Sequence, residues 1–168
     1  AVLNMPADFA PTAGWGCGDF PCENDVEGFL GRIRVPAGYT VEHVGKFPGQ
    51  PMQITYGMAG RLYATVLAGG TRNGAVYALN AAGRAERYSG DFISPIGLAF
   101  QPGTQTLYVT ARVTIGAGGG LWRVPPGGGT PEAVITDLPC CFSLIDNQPN
   151  GIIFGPDGYL YLGIGALT

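Results

Sequence analysis

Few residues in this chain can do chemistry, and their spacing narrows what that chemistry is. Cysteines stand at Cys17, Cys22, Cys140 and Cys141. The Cys17-x4-Cys22 spacing lacks the paired CxxC and histidine partners of a zinc site, and the sole histidine, His43, is far from both pairs. Disulfides formed in an oxidising compartment are the expected use. A local 17–22 bridge closes easily. A 140–141 bridge is strained, because adjacent Cα atoms lie about 3.8 Å apart, short of the usual disulfide span. Cross-pairing of the two segments would relieve that strain, and the three connectivities stay open.

The acidic trio Glu23, Asp25 and Glu27 does not match an EF-hand loop and reads as a solvated turn. The glycine-rich stretch 116–120 lacks a following Lys-Ser/Thr and a helix, so it reads as a hairpin connection, not a phosphate loop. A candidate ligand rim remains: Arg72, Asn73 and Arg112, with Asp146, Asn147 and Asn150 in "CCFSLIDNQPN". Arginine forks suit a carboxylate or sugar-acid group. The Asp and Asn residues are also ordinary turn formers.

The elements that must position these residues repeat. "PMQITYGMAGRLYATVL" from Pro51, "PIGLAFQPGTQTLYVTAR" from Pro95 and "PNGIIFGPDGYLYLGIG" from Pro149 each read as strand, Gly-containing turn, Leu-Tyr and second strand. The pairs Leu62-Tyr63, Leu107-Tyr108 and Leu160-Tyr161 are 45 and 53 residues apart. A period near 40–50 residues built from short strands points to a radial repeat. The predicted fold is all-β: a β-propeller of four-stranded antiparallel blades. Residues 51–92 and 95–138 supply two full blades, and the unit from Pro149 supplies two strands. The loops after second strands and those leading into the next blade open on one side, where the candidate rim lies. Asp157, in Pro-Asp-Gly, is assigned to a hairpin turn.

Ahead of these units, "GYTVEHVGKF" alternates and predicts one more strand, with His43 packed on its apolar face. Residues 1–35 show little periodicity and are expected to form an irregular arm carrying a cysteine pair, with a partial propeller over 36–168. One lone strand, two blades and half a blade fall short of a closed ring of 4–8 blades. The sequence is therefore expected to be a truncation, or to need another protein chain that completes or covers the open edge.

Composition excludes other classes. Apolar residues are 46% and charged residues 12% of the 168, so the chain is not a disordered polyampholyte. The 29 glycines and 14 prolines fall between alternating apolar runs, where turns are needed. With one lysine, eight arginines and net charge −3, no basic stripe exists for nucleic acid. No run approaches the roughly 20 apolar residues of a transmembrane helix. The chain starts at Ala1 with no charged-then-apolar leader, as a mature exported protein does after signal removal, though an arbitrary boundary would look the same. With the cysteines, this gives an extracytoplasmic expectation: secreted, periplasmic or cell surface.

The segment "NGIIFGPDGYLYLGIG" resembles the signature of the soluble glucose/sorbosone dehydrogenase family, exported six-bladed propellers that use pyrroloquinoline quinone and calcium. The two full blades are similar to the wider NHL/SGL-type superfamily, and the resemblance spans roughly 36–165. It implies a catalytic histidine seven residues before the Phe of "FGPDG". That Phe is Phe154, and the matching position is Asn147, whose amide cannot act as a general base. The family's "GD" after the second strand is Gly165-Ala166 here. The expectation is a propeller that binds a small molecule or sugar, or scaffolds, with no catalytic residue, metal or cofactor. The alternative is part of a quinone- and calcium-dependent sugar dehydrogenase. A calcium-dependent lactonase of the SGL type ranks last, having only Asp146 and Asn147 as ligands.

Overall fold

The computed structural model describes residue 30 and residues 33–68, 73–114, 118–140 and 149–165. Its contacts divide the chain into two compact units, 1–44 and 45–168. Residues 38–47 form no strand, which corrects the expectation for that segment. Only Lys46, in the second unit, makes an isolated bridge, to Arg84. His43 is exposed and Tyr39 is 70% exposed, so the predicted packed face does not form. Alternation makes a strand only where a neighbouring edge satisfies its backbone groups.

The second unit is built of antiparallel strands: β1 (Gln50–Tyr56), β2 (Leu62–Leu67), β3 (Asn73–Leu79), β4 (Ala85–Arg87), β5 (Phe92–Ile93), β6 (Leu98–Phe100), β7 (Leu107–Arg112), β8 (Gly119–Val124), β9 (Glu132–Leu138), β10 (Pro149–Phe154) and β11 (Leu160–Ile164). Pairing runs β1-β2-β3-β4 in the first blade, β6-β7-β8-β9 in the second and β10-β11 in the third. The architecture is the expected all-β propeller section, with the blade strands where the repeat places them and the short β5 as an addition.

Turn chemistry sets the hairpins. Between β3 and β4 the Asn80 side-chain oxygen accepts from the N–H groups of Ala82 and Arg84, each at 3.0 Å, and Gly83 takes φ 70°. Between β10 and β11, Asp157 Oδ1 accepts from the Tyr159 N–H at 3.1 Å, and Gly158 takes φ 81°. The turn role expected of Asp157 is what the structure shows.

The middle strands are buried on both sides. β2 is buried from Leu62 through Val66, and Leu107, Val109, Thr110 and Ala111 of β7 are buried as well. Continuous apolar runs suit strands covered on both faces. One core lies between the first and second blades and includes Tyr63, Val76, Leu98, Leu107 and Val124. A second lies between the second and third and joins Leu121 and Ile152 with Tyr108, Phe154 and Leu162. The Leu-Tyr repeat builds both. Tyr63 packs edge-on against Phe100 at 4.8 Å, and Tyr108 packs likewise against Phe154 at 5.5 Å. Tyr63 and Tyr108 thus each meet the aromatic residue that ends the next blade's first strand.

Candidate functional site

β5 is only two residues long, yet it joins the first two blades. Ile93 pairs with Asn73 of β3 on one side and with Arg112 of β7 on the other. Positions 73, 93 and 112 therefore fall in one row across three strands. The chain then turns sharply: Ser94 is buried at φ 47°, a left-handed conformation unusual for serine, ahead of Pro95. Gly74 makes room for that corner, since a Cβ there would lie 2.8 Å from Pro95 Cγ.

The row opens onto a cleft of about 370 Å³ whose lining includes Asn73, Asp91, Ile93, Arg112 and Trp122. That volume sits at the small end of ligand pockets. Asp91 is exposed at the rim and bonded to Arg87 Nη2 at 2.5 Å, and Arg87 Nε donates to the Ser89 carbonyl at 2.9 Å. The Trp122 indole stands edge-on to Phe92 at 6.2 Å and crosses Gly120, where a Cβ would come 2.5 Å from the ring. Glycine at 120 lets the indole lie flat on the strand. Arg112 is only 3% exposed and already engaged within the protein. Its charge sits at the base of the cleft, and a guanidinium carries five donors. The arrangement can hold a small polar molecule: hydrogen-bonding groups at the rim, an aromatic wall and a cation beneath. The described lining residues include no histidine, cysteine or lysine.

The candidate rim divides. Asn73 and Arg112 come together in the cleft. Arg112, expected on a loop at the rim, is instead the last residue of β7 and buried. Asn150 does not line the cleft. It is the second residue of β10, and its backbone carbonyl accepts a 2.7 Å hydrogen bond from Thr110 Oγ1. Arg72, Asp146 and Asn147 lie outside the described residues. So do Cys17, Cys22 and Cys141. Cys140 is fully buried and disulfide-bonded. Sequence reading missed Asp91 and Trp122. "GLWRV" signalled a strand, but nothing in it marked the tryptophan as a cleft wall.

The groups implied by the family resemblance do not fit these residues. Calcium takes six to eight oxygen ligands, largely carboxylates. Among the described residues, no group of three or more His, Cys, Asp or Glu side chains gathers to hold a cation. Pyrroloquinoline quinone carries three carboxylates, whereas the described cleft lining offers one arginine beside one aspartate. No helix among the described residues is long and apolar enough to cross a membrane.

No protein-family model matches the chain, and no curated protein matches it significantly. Among solved structures, the chain is similar to the pyrroloquinoline quinone-bound form of an aldose sugar dehydrogenase from Streptomyces coelicolor. The identity is 23% and the TM-score 0.52, over 74% of this chain and 40% of that one. The likeness is one of fold, and this chain spans two fifths of that protein's length.

Proposed function

We propose that this chain is a ligand-binding propeller section, acting outside the cytoplasm and without chemistry of its own, whose site is the cleft between its first two blades. One observation carries the reading: β5 brings Asn73 and Arg112 into one row beside Trp122 and Asp91, at a cleft sized for a single small molecule. Polar groups converging on an aromatic wall are how small-ligand sites are built. A sugar or sugar acid suits the set, its hydroxyls meeting Asn73 and Asp91 and its ring face meeting the indole. The bonded Cys140 supports an oxidising compartment.

A second reading is favoured by the likeness to the aldose sugar dehydrogenase: a section of a quinone- and calcium-dependent sugar oxidoreductase, with the groups that hold both cofactors supplied from outside the described residues. One experiment separates the two. The purified chain is titrated calorimetrically with glucose and glucuronate, then assayed for dye reduction with aldoses after quinone and calcium are added. Saturable binding weakened by Trp122→Ala, with no dye reduction, supports the binding module. Dye reduction above a protein-free control overturns it in favour of the oxidoreductase.

A further inference from the structure

Asn73-Gly74 and Asn150-Gly151 are the two Asn-Gly pairs of the chain. Asparagine is a thermolabile residue, and a glycine after it leaves the next amide nitrogen unshielded and the backbone free to turn. The fold treats the two pairs differently. Asn73 pairs with Ile93, and Gly74 pairs with Phe92 on one side and Leu67 on the other. The Asn73 carbonyl also accepts from the Ala68 N–H at 2.8 Å, and Gly74 is buried. The first pair is thus held in the sheet from both sides.

The second pair falls in a break of the β10–β11 ladder. β10 advances three residues from Pro149 to Ile152 while β11 advances two, from Ile164 to Leu162. Asn150 and Gly151 together therefore oppose the single Gly163, the two-against-one count of a β-bulge. Asn150 is exposed. At the matching positions of the first two repeats the N–H is tied down: Gln53 donates to Thr65 Oγ1 at 3.3 Å and Gly97 to Thr110 Oγ1 at 2.8 Å. Gly163 takes the threonine's place in the third repeat, so the Gly151 N–H meets no such hydroxyl.

We infer that Asn150 is a site of spontaneous modification in the folded protein, by deamidation through a succinimide. The Gly151 nitrogen attacks Asn150 Cγ; the N–Cγ bond forms, the Cγ–Nδ2 bond breaks, and ammonia leaves with the Gly151 proton. Water then opens the imide. Attack at the former side-chain carbonyl gives aspartate, and attack at the backbone carbonyl gives isoaspartate. The consequence falls on a blade junction, because the Asn150 backbone carbonyl accepts from Thr110 Oγ1 at 2.7 Å. In the isoaspartyl product the chain runs through the former side chain, one carbon longer, and that carbonyl becomes a carboxylate off the chain. Thr110 then no longer ties β7 to the main chain of β10. The inference is independent of the ligand reading.

Incubation of the full chain at mildly alkaline pH, followed by peptide mapping that separates asparaginyl, aspartyl and isoaspartyl forms, tests it. In the folded chain Asn150 should convert about tenfold or more faster than Asn73, whose reaction waits on local opening of the sheet. In urea, where no sheet remains, the two should convert at similar rates. Gly163→Thr supplies the missing hydroxyl at a position where a Cβ meets nothing closer than the Gly151 carbonyl oxygen at 3.6 Å. It should slow conversion at Asn150, whereas Gly163→Ala, which adds the Cβ alone, should slow it less. Circular dichroism checks that both variants fold, and the comparison of Asn150 with Asn73 needs neither. Equal rates at the two asparagines in the folded chain, no conversion at Asn150, or a Gly163→Thr chain that converts as fast as Gly163→Ala overturns the proposal.

Discussion

Thr65 and Thr110 hold the same place in successive blades and make the same hydrogen bonds. Thr110 Oγ1 donates to the Asn150 carbonyl at 2.7 Å and accepts from the Gly97 N–H at 2.8 Å. Thr65 Oγ1 donates to the Ile96 carbonyl at 2.5 Å and accepts from the Gln53 N–H at 3.3 Å. Each fully buried threonine thus ties the opening segment of its own blade, at or just before the first strand, to that of the next blade. In the third repeat the place belongs to Gly163, which has no hydroxyl to offer.

Thr110→Val keeps the shape and removes both bonds, leaving the Gly97 N–H and the Asn150 carbonyl unsatisfied. A destabilisation of about 1–3 kcal/mol is expected in urea unfolding. Thr110→Ser, which keeps the hydroxyl, should recover most of it. Equal stability of the valine and serine variants would remove the hydroxyl from the account.

Gly97 is confined by the same junction. A Cβ there would lie 2.2 Å from the Asn150 carbonyl oxygen and 2.7 Å from Thr110 Oγ1. Gly97→Ala should therefore lose about 1–3 kcal/mol as blades two and three are pushed apart. At Gly151, the matching position in the third repeat, the nearest atom to a Cβ is Gln53 Oε1 at 3.6 Å. Gly151→Ala should cost clearly less in the same melt.

The β10–β11 hairpin should respond to pH at both ends. The Tyr161 hydroxyl donates to Asp157 Oδ2 at 2.6 Å, which holds the Asp157 carboxyl below the usual aspartate range. The same bond raises the Tyr161 phenol above its usual range. A lowered carboxylate pKa contributes stability above the unfolded value, lost as pH falls through the folded one. A raised phenol pKa contributes stability below the unfolded value, lost as pH rises through the folded one. The pair thus supports the fold between about pH 4 and about pH 10. Tyr161→Phe should flatten both limbs of the melting temperature against pH. Unchanged limbs would mean that the bond is not kept in solution.

Reduction should also be felt. Cys140 is fully buried and disulfide-bonded. Dithiothreitol is expected to lower stability by about 2–5 kcal/mol, read as a fall in melting temperature. A melt unmoved by reductant would show that the bond adds nothing to the fold. Peptide mapping without reduction would identify the partner among Cys17, Cys22 and Cys141.

The repeat was legible in the amino-acid sequence because what encodes it is local. Apolar runs between glycine turns, Leu-Tyr pairs and Pro-Asp-Gly each act over a few residues, so every described strand of the blades except β5 falls where the pattern places it. The same logic failed at 38–47, where alternation is present but only Lys46 makes a bridge, to Arg84. The candidate site was only half legible. Asn73 and Arg112 stood out by type, but their alignment depends on β5, two residues whose pairing with both β3 and β7 no local pattern announces. Asn150 stands out in the sequence by its side-chain amide, and the fold engages its backbone carbonyl through Thr110. The burial of Arg112 and the role of Trp122 as a cleft wall were likewise decided by how the blades pack. Strand identity follows from periods of two residues and from turn chemistry; a site depends on which distant strands meet, and that is settled only when the blades close on one another.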